Sequence, residues 1–291
     1  MKRVLITGAK GQVGSELVVE AEKRGYDVIG LSSAELDITD RAQVKAALKK
    51  TMPVALINAA AYTAVDKAED EKDRAYRVNA DAVKIMAEIC EQENVPLLHI
   101  STDYVFDGNK STPYSELDQP NPTGVYGASK LAGEQALQAT WDKHVILRVS
   151  WVFGKNGNNF VKTMLRLGQG RDELGVVNDQ FGAPTAATSI ASCLMDIVDK
   201  ERFGEPDFPW GLYHYQSEPG VTWYDFATTI FAQANKLGVL GKQITVNPIG
   251  SEQFPTPVKR PENSKLDGKK MQNVFGVSAG DWEQELLGML E

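Results

Sequence analysis

Lys2-Arg3-Val4-Leu5-Ile6-Thr7-Gly8-Ala9-Lys10-Gly11-Gln12-Val13-Gly14-Ser15-Glu16-Leu17 opens the chain with a short apolar run, three glycines spaced three apart, and the start of a helical pattern. A strand that breaks at Gly8 and re-forms as a helix after Gly11 must turn sharply, and glycine lets it do so without a Cβ in the way. The first free amides of such a helix face whatever lies at its start, and an anion is the favoured occupant. Three glycines in seven residues mean little by themselves. At a strand-to-helix junction they point to a dinucleotide's pyrophosphate, bound by Gly8, Gly11, Gln12 and Val13, over a plain tight turn.

Outward from that loop, short runs rich in Val, Ile and Leu alternate with longer stretches of helical period. The strands are expected at Lys2 to Thr7, Asp27 to Leu31, Ala55 to Asn58, Leu97 to Ser101 and Val145 to Val149, and the helices near residues 12 to 24, 40 to 50, 72 to 93 and 125 to 140. Right-handed βαβ crossovers then give an α/β fold with a doubly wound, Rossmann-like parallel sheet. Past residue 150 the alternation loosens, with Gly and Pro clusters at 154–158, 204–211 and 254–261. The expected organisation is a nucleotide-binding domain over 1–150 and a smaller, interleaved substrate-binding lobe over 151–291. A helix from Thr185 to Asp199 is expected to return to the first domain.

A formal charge of −8 and the lack of a basic stripe argue against nucleic acid, whose phosphates such a surface repels. No run approaches the roughly 18 apolar residues of a membrane span, and the opening apolar run is too short for a secretion signal. Cys90 and Cys193 both sit in helical patterns and read as packed core thiols, which suits a reducing cytoplasm. His99, His144 and His214 lack ligand spacing, so no metal site is expected from them.

The second strand runs out into Ser32-Ser33 without the carboxylate that an NAD-preferring site places against the ribose 2′-hydroxyl. Two hydroxyls tolerate a 2′-phosphate, so the reading is NADPH, or use of both NADPH and NADH. Lys10 either adds a positive charge there or is a surface lysine without a role. Asp37-Ile38 either holds the adenine edge or begins the turn into the next helix.

Tyr126 and Lys130 stand four apart on an expected helix and so share one face. That spacing arises by chance in ordinary sequences. Its position after Ser101-Thr102-Asp103, at the carboxyl edge of the fourth strand, is what gives it meaning, because ligands bind at that edge. A phenol near pKa 10 is a weak proton carrier at neutral pH, and a neighbouring ammonium together with a cofactor's positive ring would lower it. A hydroxyl must also hold the carbonyl oxygen that the phenol protonates. Thr102 is the candidate, with Ser101 second. The plain alternative is a threonine capping a strand and a tyrosine in the core.

The glycine loop, Asn58-Ala59-Ala60-Ala61, Ser101 to Phe106 and the Tyr126/Lys130 pair, in that order, resemble the extended short-chain dehydrogenases. The segments 61–69, 149–153, Asn178 to Thr185 and Arg260 to Ser264 are more closely similar to the dTDP-4-dehydrorhamnose reductase family. The resemblance implies reduction of the 4-keto group of a dTDP-6-deoxysugar to dTDP-L-rhamnose for surface polysaccharide, with hydride from the nicotinamide. It also implies that Gly11, Gln12 and Val13 hold the pyrophosphate, Asp37 and Ile38 the adenosine, and Ala61, Tyr62 and Thr63 the middle of the cofactor. Lys130 would grip the nicotinamide ribose, and Thr102, Asp103 and Trp151 would meet the sugar. Arg260 would pair with the diphosphate.

Some members of that family bridge subunits through magnesium, using a glutamate in the first helix and another after the Gly-Ala-Pro-Thr segment. Glu16 matches the first, but Thr188 stands at the second, which argues against a metal-bridged dimer and leaves monomer and homodimer both open. Related dehydratases place a Glu after the Thr-Asp pair, where this chain has Tyr104; an epimerase is the other enzymatic rival. From another class, the regulatory subunit of methionine adenosyltransferase is similar to these reductases and binds NADP without a known need for turnover.

Overall fold

The computed structural model describes residues 2–291. Strands β1 (Arg3–Thr7), β2 (Asp27–Leu31), β3 (Ala55–Asn58), β4 (Leu97–Thr102) and β5 (His144–Val149) fall where the apolar runs lie. With a sixth strand, Gly211–His214, they form one parallel sheet in the order β2-β1-β3-β4-β5 and then Gly211–His214. Every residue of β3 and β5 is buried, as both faces of a covered parallel sheet require, while edge strand β2 is only half-buried.

Helices α1 (Gln12–Lys23), α2 (Arg41–Thr51), α3 (Lys72–Tyr76), α4 (Ala82–Glu93) and α5 (Val125–Thr140) alternate with these strands. Residues Arg77–Asp81 form a widened π turn that joins α3 to α4. Leu5, Leu56 and Ile146 point to the face that α2, α4 and α5 cover, whereas Val4, Ile6, Ile57 and Leu147 point to the other, beneath α1. Cys90 and Cys193 are buried on opposite faces of the sheet, with thiol pKa values pushed up by burial.

After Phe160–Gly170 (α6), the helix Ala187–Val198 (α7) lies against α1 beneath the sheet. A second element also returns: Gly211–His214 pairs with β5, although the Gly- and Pro-rich stretch before it reads as loop. Its apolar content is only Leu212 and Tyr213, too short a run to announce a strand without the partner it pairs with.

A separate apolar cluster of Phe153, Val161, Leu174, Phe226, Phe231 and Trp282 joins α6, Trp223–Lys236 (α8) and the last helix, Trp282–Leu290. Two short parallel pairs border it, Glu173–Val177 with Thr245–Ile249 and Val152–Phe153 with Thr185–Ala186. Thr222 begins α8 with a reciprocal cap, its hydroxyl accepting from Asp225 N while the Asp225 carboxylate accepts from Thr222 N. That cap fixes where Trp223 leaves the helix start.

Candidate active site

A cleft of about 1020 Å³ runs along the carboxyl edge of the sheet. It passes the point between β1 and β3 where the strand order reverses, the place at which doubly wound sheets take ligands. Gly8, at φ +70°, turns the chain out of β1, and a Cβ there would stand 2.7 Å from Ala60 N. A Cβ on Gly14 would stand 2.0 Å from Gly8 O, so the helix and the loop could not approach as they do. Gly11 caps α1 with no side chain, and no acidic residue lies in the first turn. The loop is therefore a cradle of backbone closed to side chains and open to an anion, and Gly8, Gly11, Gln12 and Val13 all line the cleft. The Gln12 side chain is held by Asn159, whose amide donates to Gln12 Oε1 at 3.0 Å.

At the β2 end the structure differs from the sequence reading. Ser32 is buried, and both its N–H and its hydroxyl donate to one carboxylate oxygen of Glu35, at 2.9 and 2.6 Å. A carboxylate thus does return to the end of β2, from four residues past it, by folding back over a turn. The two Ser32 donors, with Lys10 nearby, hold Glu35 below the ordinary carboxylate range. Asp37 lines the cleft, and its carboxylate accepts from Thr39 N and Oγ1 to make the turn. Ile38 is buried at the cleft wall.

Ala61, Tyr62 and Thr63 line the middle of the cleft. They are pinned by Asn79, which accepts from Tyr62 N at 2.8 Å, donates to Tyr62 O at 3.0 Å, and donates to Ser129 Oγ at 3.1 Å. The π turn carries this asparagine, and Gly133 permits the close approach: a Cβ at Gly133 would lie 2.0 Å from Asn79 O. Nothing in the local pattern around Asn79 announces that role, because a helix polar residue reads as solvated until its neighbours are known.

The catalytic candidates converge. Thr102 at the end of β4, and Tyr126 and Lys130 on α5, all line the same cleft. Gly127 brings α5 against the Tyr104 backbone, since a Cβ there would stand 2.1 Å from Tyr104 O. Burial pushes the Tyr126 phenol up, the neighbouring Thr102 hydroxyl pulls it down, and Asp103 and Tyr104 raise it further. The protein's own groups therefore do not lower this phenol as the lysine argument expects. Lys130 is itself brought down to about 8 by burial, against an opposing pull from Glu134. Its Nζ donates to Ile100 O at 2.7 Å and lies 3.2 Å from His99 Nε2.

Ser101 serves elsewhere: its hydroxyl donates to Glu134, which forms a two-pronged pair with Arg148 at 2.9 and 2.6 Å beneath the sheet's edge. Asp103 accepts from Thr102 Oγ1 at 2.9 Å, its second oxygen meets no hydrogen-bond geometry among the described residues, and burial lifts its carboxyl to about 6 against the pull of the Thr102 and Ser264 hydroxyls.

Trp151 lines the cleft at φ +44°, a left-handed conformation that costs a bulky residue about 1 kcal/mol or more. Its ring stacks on Trp223 at 3.4 Å and 8°. Gly182 makes room for it, because a Cβ would meet the indole at 2.2 Å. Trp223, absent from the sequence reading, also lines the cleft; the capped start of α8 places it there.

Arg260 is not brought into the cleft wall. Its Nη2 is held by the two Asp66 oxygens at 2.8 and 2.7 Å, and its guanidinium sits 5.9 Å over the Tyr104 ring. His144 and His214 meet backbone carbonyls of Trp141 and Tyr114, so they fasten loops. Glu16 lies beside Asn156, and among the described residues no group of three or more His, Cys, Asp or Glu comes together as a metal cage.

Known proteins match this sequence and fold along the whole chain. The family model described as RmlD substrate binding domain matches residues 1–291. A dTDP-4-dehydrorhamnose reductase of Aggregatibacter actinomycetemcomitans is 48% identical over 98% of this chain and 97% of its own, and one of Escherichia coli K12 is 40% identical over 99% and 96%. A crystal structure of dTDP-4-dehydrorhamnose reductase from Bacillus anthracis, in complex with NADP, superposes with a TM-score of 0.91 at 37% identity, covering 99% of both chains. The chain belongs to the RmlD family, that of the dTDP-4-dehydrorhamnose reductases.

Proposed function

We propose that this chain is an NADPH-dependent reductase of the 4-keto group of dTDP-4-dehydro-L-rhamnose, which makes dTDP-L-rhamnose for cell-surface polysaccharide in the cytoplasm. The carrying observation is that one cleft is lined both by the glycine cradle and by Thr102, Tyr126, Lys130 and Trp151. Bound there, the nicotinamide supplies the hydride that goes to C4 of the sugar.

The chain's own residues do the rest. The α1 amides at Gln12 and Val13 face the pyrophosphate, and the Asn79-pinned segment Ala61–Thr63 fixes the cofactor's middle. Lys130 reaches the nicotinamide ribose. Tyr126 gives its proton to O4 as the alkoxide develops, and Thr102 orients that oxygen. A phenol with a raised pKa suits this direction of reaction: it is fully protonated at neutral pH, and an alkoxide is a far stronger base than a phenolate. Trp151, stacked on Trp223, presents an aromatic face to the sugar's C–H edges.

Residues 151–291 act as the substrate lobe, with α7 and the strand Gly211–His214 returning to the nucleotide-binding part. The protein works as a monomer or homodimer without a magnesium bridge. Arg260 reaches the diphosphate only by releasing Asp66, because its Nη2 is held there and its Nη1 is buried.

The test is NADPH oxidation with dTDP-4-dehydro-L-rhamnose, product identified by NMR. Stoichiometric dTDP-L-rhamnose supports the reading. Tight NADPH binding with no turnover would mark a cofactor-binding regulatory protein instead, and release of water from dTDP-glucose would mark a dehydratase.

A further inference from the structure

His99 is fully buried on β4, the mechanism above gives it no task, and its ring bridges two elements of the site. On one side Asn58 Nδ2 lies 2.9 Å from His99 Nδ1; on the other, Lys130 Nζ lies 3.2 Å from Nε2. A neutral imidazole has one donor and one acceptor, so the two contacts cannot both be made by protein donors. Burial holds His99 neutral, well below its ordinary pKa, with Lys130 adding to the effect.

The orientation of Asn58 decides between the two tautomers. Asn58 Oδ1 accepts from Ala60 N at 3.1 Å and from Thr7 Oγ1 at 2.6 Å. Thr7 can turn its hydroxyl either way, but the Ala60 amide is a fixed donor. Flipping Asn58 would set Nδ2–H against Ala60 N–H, two donors facing each other in a buried place. Asn58 Nδ2 therefore donates to His99 Nδ1, and the ring proton is on Nε2, aimed at Lys130.

An ammonium at Lys130 would face that proton with another N–H. An uncharged amine satisfies every group: one N–H to Ile100 O, its lone pair to His99 Nε2–H, and its second N–H toward the cleft. We propose that His99 is a positioning residue that presents Nε2–H to the Lys130 nitrogen and so favours the uncharged amine, coupling Lys130's charge to the Thr7–Asn58–His99 chain at the floor of the site.

The other titratable groups around Lys130 do not do this. Glu134, on the same helix, favours the charged form, but Arg148 from β5 and Ser101 from β4 engage its carboxylate. Tyr126, one helical turn earlier, is a protonated phenol, and Asp103, beyond Thr102, is turned to the Thr102 hydroxyl. From the π turn comes only the uncharged Asn79.

The inference rests on the proposed reading only for its kinetic meaning, and its test needs no turnover. The chain has three histidines, so protein labelled with 15N-histidine gives three ring systems, and the signal missing from His99→Leu identifies His99. Long-range 1H–15N correlation at neutral pH should show His99 neutral with its proton on Nε2. Its ring shifts should follow a titration that vanishes in Lys130→Met. A proton on Nδ1, or ring shifts that ignore pH and the Lys130 variant alike, would overturn the proposal; because His144 and His214 turn Nδ1 to backbone carbonyls, His99 is the one ring expected to carry its proton on Nε2, so the wild-type spectrum decides this even if His99→Leu fails to fold. In folded His99→Leu, the pH at which NADPH affinity changes should move up by about one unit, a tenfold change in Kd at intermediate pH. No movement would reduce His99 to a packing role.

Discussion

Replacing Glu134 by Gln isolates one buried interaction that shapes the site from below. Glu134 and Arg148 are 1% and 2% exposed at their side chains, joined by two short hydrogen bonds, and Arg148 also lies 5.0 Å over the Phe106 ring. The amide of Gln would keep the shape but set an NH₂ or a neutral oxygen against a guanidinium that has lost its counter-charge. Leaving one member of such a buried pair uncompensated costs about 3–5 kcal/mol. A chain of 291 residues gains roughly 0.6 kcal/mol per kelvin of unfolding entropy, so the melting temperature should fall by about 5–8 °C. Calorimetry at neutral pH measures this. The paired replacement Glu134→Leu with Arg148→Met should recover most of the loss, because both charges then leave the core together. A drop of less than about 1 °C in Glu134→Gln would refute the reasoning, since it would mean that water reaches the pair.

Cofactor choice and acid stability give two further expectations. Glu35 is folded onto Ser32, which lines the cleft, so a 2′-phosphate bound at the end of β2 would meet its charge; Glu35→Gln should then raise the NADPH-to-NADH ratio in kcat/KM several-fold, a change seen by assaying both coenzymes, and an unchanged ratio would remove Glu35 from the 2′ site. Asp103 has a folded pKa near 6, above its ordinary value of 3.8, so its contribution to stability is full at low pH and is lost as pH rises through about 6. Asp103→Asn should therefore gain stability relative to wild type as pH rises from about 4 to about 6, by up to about 3 kcal/mol in denaturant titrations, and hold that gain at higher pH; a constant difference from about pH 4 to about pH 6 would contradict the assignment.

How far the sequence carried this account depends on the reach of each interaction. The glycine cradle and the five strands β1 to β5 are local patterns, a fixed spacing beside a strand and short continuous apolar runs, and they appear where the residues place them. The Tyr126/Lys130 pair is local to one helix, and Thr102 joins it because β4 ends there. Glu35 was missed because a carboxylate four residues past the strand reaches its end only through a turn, which no spacing rule for the second strand includes. Asn79, His99 and Trp223 were missed as site groups for a different reason: each acts across 20 residues or more of sequence, on Ser129, Lys130 and Trp151 respectively. Arg260 shows the reverse situation, a residue suited to phosphate whose Nη2 the fold gives to Asp66, a partner 194 residues away that no local pattern announces.

Tyr126 is proposed as the proton donor of a site that binds its cofactor without it. Stopped-flow NADPH oxidation with dTDP-4-dehydro-L-rhamnose, run beside NADPH titration by fluorescence on wild type and Tyr126→Phe, tests both halves at once. The account predicts that kcat falls by at least about 100-fold while the NADPH Kd stays within about threefold. A variant that keeps the wild-type rate, or one that loses NADPH as completely as it loses turnover, would contradict it.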